Sequence, residues 1–137
     1  MATPAGYSGT PLARKLGYKA LTHAHLIGAP AELMAWLEPL PEGVQFDARW
    51  GAQTDLVHVF STERQQLQDT LTSLRGALRS DAMVWASWPK KAARLPTDIT
   101  EDVIRAVALP LGYVDVKVCA VSAVWSGLKL VIRKELR

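Results

Sequence analysis

The chain breaks into short apolar runs separated by polar or proline-bearing stretches, and the period of the apolar positions changes from run to run. Residues 20–27 form a strand-like run that stops at Gly28-Ala29-Pro30. Leu33, Trp36 and Leu37 then fall at helical spacing, and Pro39 and Pro41 close that helix. Residues 44–48 alternate, which predicts a second strand. Residues 55–60 (DLVHVF) suit a pleated, buried surface and predict a third. Thr62-Glu63-Arg64-Gln65 matches a capping box, with Thr62 as the cap of a helix whose Leu67, Leu71, Leu74 and Leu78 make one apolar stripe. Residues 83–88 predict a fourth strand, ended by Pro89 and followed at once by Lys90 and Lys91. Asp98 or Thr100 caps the next helix, where Glu101 and Asp102 suit the helix dipole and Val103, Ile104, Val107 and Leu111 give an apolar face. Pro110 and Gly112 end it. Residues 113–121 and 128–134 are strands whose link is too short for a crossover helix, so they form an antiparallel hairpin. At the other end, Thr10-Pro11 predicts a helix start with Thr10 as N-cap, stopped by Gly17. Residues 1–9, with Pro4, Gly6 and Gly9, are expected to be mobile.

Alternation of strands and helices ending in a hairpin implies an α/β fold. The expectation is a three-layer, mostly parallel Rossmann-like sheet of about six strands, with helices on both faces and an antiparallel C-terminal edge. In the hairpin, Asp115 and Lys117 alternate with Val114, Val116 and Val118, so one of its faces meets water.

Composition narrows this picture. A chain of 137 residues is one domain on size alone, spanning 1–137. It is 49% hydrophobic and 21% charged, an ordinary globular balance, and its net charge of +3 admits an anionic ligand without pointing to nucleic acid. The single cysteine, Cys119, excludes an internal disulfide and an all-cysteine metal site. No apolar run approaches the ~20 residues of a membrane helix, and the first residues have neither a basic n-region nor an apolar h-region. A cytoplasmic protein is expected.

Residues 55–137 run in the order strand opening on Asp55, helix, strand, helix, hairpin. That order resembles the C-terminal half of a class I methyltransferase sheet, and it makes S-adenosylmethionine (SAM) the cofactor to consider. With such packing the strand order is second, first, third, fourth, sixth, fifth. The N-terminal half departs from the family. A methyltransferase has a Gly-rich turn after its first strand, whereas this turn holds Gly28 and Pro30 and no G-x-G occurs in the chain. The segment 49–54 is also too short for the helix–strand–helix insert of the full fold. No dinucleotide fingerprint and no phosphate-binding G-x-x-x-x-G-K-[ST] is present. A second resemblance spans more of the chain. Ser8-Gly9-Thr10-Pro11-Leu12, Lys15-Leu16-Gly17, Trp88-Pro89-Lys90-Lys91, TDITED at 97–102, DVKVCAV at 115–121 and WSGLK at 125–129 resemble a family of short bacterial proteins catalogued as a domain of unknown function. That resemblance implies no catalytic residues.

In open parallel sheets, ligands bind beyond the carboxyl ends of the strands. Those ends carry Gly28 and Pro30, Ser61 and Thr62, and Trp88, Lys90 and Lys91. Methyltransferase-like packing of the hairpin adds Trp125 on the same side. The candidate site is a pocket walled by Trp88 or Trp125, with Lys90 and Lys91 as cations and the start of the Thr62 helix as a second attractor of anions. The alternative is that the tryptophans are core, the proline ends a strand, and the lysines keep a loop soluble. His23 and His25 share a face of the first strand, and His58 lies on a neighbouring strand. Three imidazoles suit a transition metal, but no carboxylate completes the set, so no metal is assigned. Cys119, with Lys117 on its own face, is either a buried inert thiol or a reactive one. No nucleophile elbow occurs. Asp98, Glu101 and Asp102 are explained by helix capping. The tryptophans lie mostly in apolar runs and the acids nearly balance the bases, which argues against nucleic acid as a partner.

The resulting expectation is a non-catalytic ligand-binding or protein-interaction module on a truncated methyltransferase-like scaffold, with its working surface around Lys90, Lys91 and Trp125. The alternative is an enzyme acting on or with a small anionic or nucleotide-like compound, a SAM-dependent methyltransferase relative being its leading form.

Overall fold

The strand Leu56–Phe60 is buried at every position, as a strand covered on both faces must be. It is β3 of a six-stranded sheet in the computed structural model, which describes residues 9–137. Residues 1–8 of the stretch expected to be mobile lie outside the described residues. The other strands are β1 (His23–Ile27), β2 (Gln45–Phe46), β4 (Met83–Pro89), β5 (Tyr113–Ala120) and β6 (Trp125–Ile132). The helices are α1 (Leu12–Lys15), α2 (Leu33–Leu37), α3 (Arg64–Ala77) and α4 (Glu101–Ala108). The sheet order is β2-β1-β3-β4-β6-β5, the order expected from methyltransferase-like packing. β2, β1, β3 and β4 are mutually parallel, and β6 runs antiparallel to β4 and β5.

Each face of the sheet has its own core. On one face, Leu67, Leu71 and Leu74 of α3 and Ile104 and Val107 of α4 pack on Val57, Val59, Val84, Ala86, Leu128 and Leu130. On the other, Leu12 and Leu16 of α1 and Leu33 and Leu37 of α2 pack on Ala24, Leu56, Phe60 and Trp85. Burying each leucine of the α3 stripe contributes about 2 kcal/mol. Two of the polar atoms carried inside join elements across the core. The Trp85 indole N–H donates to the Leu16 carbonyl at 2.7 Å, tying α1 to β4. The Tyr113 hydroxyl donates to the Leu71 carbonyl at 2.7 Å, tying β5 to α3.

Several boundaries differ from expectation. α1 begins at Leu12, with Pro11 rather than Thr10 in the cap position and no side-chain cap. Glu63, not Thr62, precedes the first helical residue of α3. The capping oxygen comes from Asp98, whose carboxylate accepts the Arg64 N–H at 2.6 Å. α4 is capped by Thr100, which accepts the Val103 N–H at 3.2 Å. β6 starts at Trp125, so the hairpin turn is tighter than the expected link. The Ser122 hydroxyl closes it by accepting the Val124 and Trp125 N–H groups, each at 3.1 Å. β2 shrinks to two residues.

Candidate functional site at the carboxyl edge of the sheet

The carboxyl ends of β1, β3 and β4 lie on one edge, and the β5–β6 turn joins them there. Pro89 faces Trp125 across the β4–β6 ladder, and the Lys90 N–H donates to the Val124 carbonyl at 2.7 Å. The Trp125 ring meets Phe60 edge-on, with centroids 5.1 Å apart. Phe60 in turn stacks on His58 at 4.2 Å. Lys90, Lys91 and Trp125 therefore lie near one another in the backbone, half-buried to exposed. A short 3-10 turn, Lys91–Ala93, follows and ends at Arg94 in the left-handed region (φ 55°). Lys90, Lys91 and Arg94 make no ion pair among the described residues.

The remaining candidates do not open onto this rim. Trp88 is 9% exposed and belongs to the α3–α4 core, on the face opposite Trp125. The two tryptophans cannot wall one pocket, because strand alternation sends the side chains of Trp88 and Pro89 to opposite faces. Ser61 is buried, and its hydroxyl donates to the Glu63 carbonyl at 3.1 Å. The Thr62 carbonyl accepts the Thr97 hydroxyl at 2.7 Å and the Asp98 N–H at 3.3 Å. The start of α3, expected to attract an external anion, already holds the chain's own anion, the Asp98 carboxylate. Gly28 has φ 67°, and a Cβ there would stand 2.7 Å from the Phe60 carbonyl oxygen. That glycine is needed for the close packing of the turn on β3. The Pro30 carbonyl accepts the Leu33 N–H at 3.1 Å and starts α2.

The three histidines do not converge. His23 and His25 both engage Asp47: the His23 Nδ1–H donates to the Asp47 carboxylate at 2.9 Å, and the His25 Nδ1–H to the Asp47 carbonyl at 2.8 Å. His58 points to the other face, where its Nε2 lies 2.7 Å from the Ser87 hydroxyl. Burial pushes His58 down to about 3, so it is neutral at neutral pH. Cys119 is 8% exposed, and burial raises its thiol against the opposing pull of Lys15 and Lys117. Among the described residues no group of His, Cys, Asp and Glu is arranged to hold a metal ion.

One residue the sequence reading passed over bears directly on the site. Nucleotide-binding α/β sheets place an acid about 20 residues after the glycine turn, at the end of the second strand, to hold a ribose. Asp47 stands at that spacing. However, β2 ends at Phe46 opposite Ala24, whereas β1 continues to Ile27. Asp47 is thus about two residues, or ~7 Å, below the carboxyl edge, and its carboxylate is bonded to His23. The spacing was visible in the sequence, but the early end of β2 was not.

No family model and no curated protein matches the chain. Solved structures do. A Sulfolobus solfataricus protein provisionally described as a type 11 methyltransferase matches with a TM-score of 0.59 at 10% identity, over 82% of this chain and 85% of that one. The mitomycin 7-O-methyltransferase MmcR matches with a TM-score of 0.58 at 11% identity, over 83% of this chain and 49% of that one. LepI, in a complex with SAM, matches with a TM-score of 0.54 at 12% identity, over 90% of this chain and 47% of that one. The chain thus spans about half the length of MmcR and LepI. Among the described residues no helix is long and apolar enough to cross a membrane. At these identities the likenesses show the fold: a Rossmann-like sheet of the methyltransferase type with an antiparallel C-terminal hairpin.

Proposed function

We propose that the chain is a non-catalytic binding module that keeps the methyltransferase-type sheet without its cofactor cradle. The carrying observation is the state of the first two strand ends. Gly28 is packed on the Phe60 carbonyl, and the acid at nucleotide-binding spacing, Asp47, sits below the edge in a bond to His23. A nucleoside cofactor needs both positions open at the rim. The same reading allows membership of the family of short bacterial proteins suggested by the WPKK, DVKVCAV and WSGLK motifs.

The working surface is the rim of Lys90, Lys91 and Trp125, extended by Arg94 and by Leu95, which is 45% exposed. Three cations without ion-pair partners beside an aromatic ring and an exposed leucine suit an acidic segment of a partner protein. Titration with an oligoglutamate peptide tests this. The expected result is a salt-sensitive shift of the amide resonances of residues 90–95 and of the Trp125 indole, absent from the Lys90→Ala/Lys91→Ala variant. A peptide response that the double variant retains would reject this surface.

A further inference from the structure

Between Lys19 and Arg49 the chain carries Glu32, Glu38, Glu42 and Asp47 and no lysine or arginine. This stretch forms β1, α2 and β2, the edge of the sheet farthest from the β5–β6 hairpin. Asp47 is bonded to His23, but Glu32 and Glu38 make no ion pair among the described residues. They flank α2, whose Leu33 and Leu37 are buried while Met34 is 41% exposed. α2 thus presents an acidic outer side with an apolar residue in it. The rim of Lys90, Lys91 and Arg94 is its counterpart, with cations that make no ion pair set around exposed Leu95 and half-buried Trp125.

Both features lie on one side of the molecule. α2 and Trp125 pack on the same face of the sheet. α2 follows the carboxyl end of β1, and Lys90 follows that of the parallel strand β4. Only β3 separates those two strands, which sets their ends about 10 Å apart. A negative surface beside a positive one is self-complementary. A two-fold axis between them, over the end of β3, lays each surface of one copy on the opposite surface of the other.

We propose that the partner of the rim is a second copy of this chain, with α2 of each copy docked on Lys90, Lys91 and Arg94 of the other in a two-fold dimer. The inference rests on the reading of the rim as a site for an acidic segment, and it names that segment. Opposite charges fix the register of the two copies. The contact also takes the exposed area of Met34 and Leu95 out of water. Few side chains contribute, so the dimer is of the small, salt-sensitive class and the dilute chain is monomeric.

The test is sedimentation equilibrium of the full chain against concentration and salt. A dimer that forms toward ~1 mM chain at low ionic strength and dissociates at high salt is expected. Glu32→Lys/Glu38→Lys and Lys90→Glu/Lys91→Glu should each raise its dissociation constant by at least about tenfold, because each sets like charges against one another. An equimolar mixture of the two variants should recover a dimer, since both of its contacts are then complementary, and that recovery also shows that both variants fold. Three results would overturn the proposal: a chain that stays monomeric at this concentration, a dimer that both reversals leave intact, or a mixture that stays monomeric. The Glu32→Lys/Glu38→Lys variant keeps the rim, so its amide resonances at 90–95 should still respond to oligoglutamate. A retained response in a chain that never dimerises removes the second copy and leaves the rim reading standing, whereas a lost response removes both.

Discussion

The carboxylate of Asp98 caps the first turn of α3 by accepting the Arg64 N–H at 2.6 Å, across 34 residues of sequence. The longest helix is therefore anchored by the loop that leaves β4, the same loop that carries Lys90 and Lys91. Asp98→Ala should cost about 1 kcal/mol of stability, the usual worth of an N-cap. Thr62→Ala should cost less, because the Thr62 contribution to this junction is its carbonyl. Urea unfolding of the two variants checks the order, and equal losses would contradict it.

Gly28 and Phe60 make the other close approach at the edge. Gly28→Ala puts a Cβ 2.7 Å from a backbone carbonyl oxygen and forces a side chain into φ 67°. Strain of this kind costs roughly 1–3 kcal/mol. A chemical denaturation midpoint unchanged from wild type would show that the turn is looser than described.

His58 gives the fold a pH dependence with a definite sign. Its folded pKa is pushed down to about 3 by burial, from an ordinary value of 6.5. Between those values the unfolded chain binds the extra proton. The stability associated with a neutral His58 is therefore fully present above pH 6.5 and declines as pH falls toward 3, by up to about 1.4 kcal/mol per unit. His58→Gln keeps a polar partner for Ser87 and removes the titration. Its stability should fall less steeply than wild type between pH 6 and 4, where His58 alone separates the two. Parallel curves would contradict the burial argument.

The rim lysines should be nearly silent in stability. Lys90→Ala/Lys91→Ala breaks no ion pair among the described residues. Surface changes of this sort fall within about 0.5 kcal/mol. Thermal unfolding of the double variant checks it, and a larger loss would make these residues structural.

The sequence carried the architecture well because the period of its apolar positions is strong. The Leu67–Leu71–Leu74 stripe had one sensible reading, and the short link at the hairpin left one pairing. The alternation expected along β5 does not hold, because the register shifts between Asp115 and Lys117 and leaves Val116 and Val118 exposed, at 53% and 48%. The site was less legible. Trp88 and Trp125 sit beside similar small polar and apolar neighbours in sequence, yet register sends one into the α3–α4 core and leaves the other on the rim. The Thr62-to-Gln65 pattern fits a capping box, but a carboxylate brought in by tertiary packing took the cap. Asp98 was visible as a capping residue and was assigned to α4, the helix next to it in sequence. The approach of Lys15 of α1 to residues 117–120 of β5 is a tertiary contact that no local pattern encodes.

The central claim is that a methyltransferase-type sheet persists here without a working cofactor cradle. Calorimetric titration with SAM tests it most directly. The account predicts no saturable heat up to roughly 1 mM ligand, the affinity expected when no built site is present. Saturable binding of SAM, weakened by substitution at Gly28 or Asp47, would contradict it.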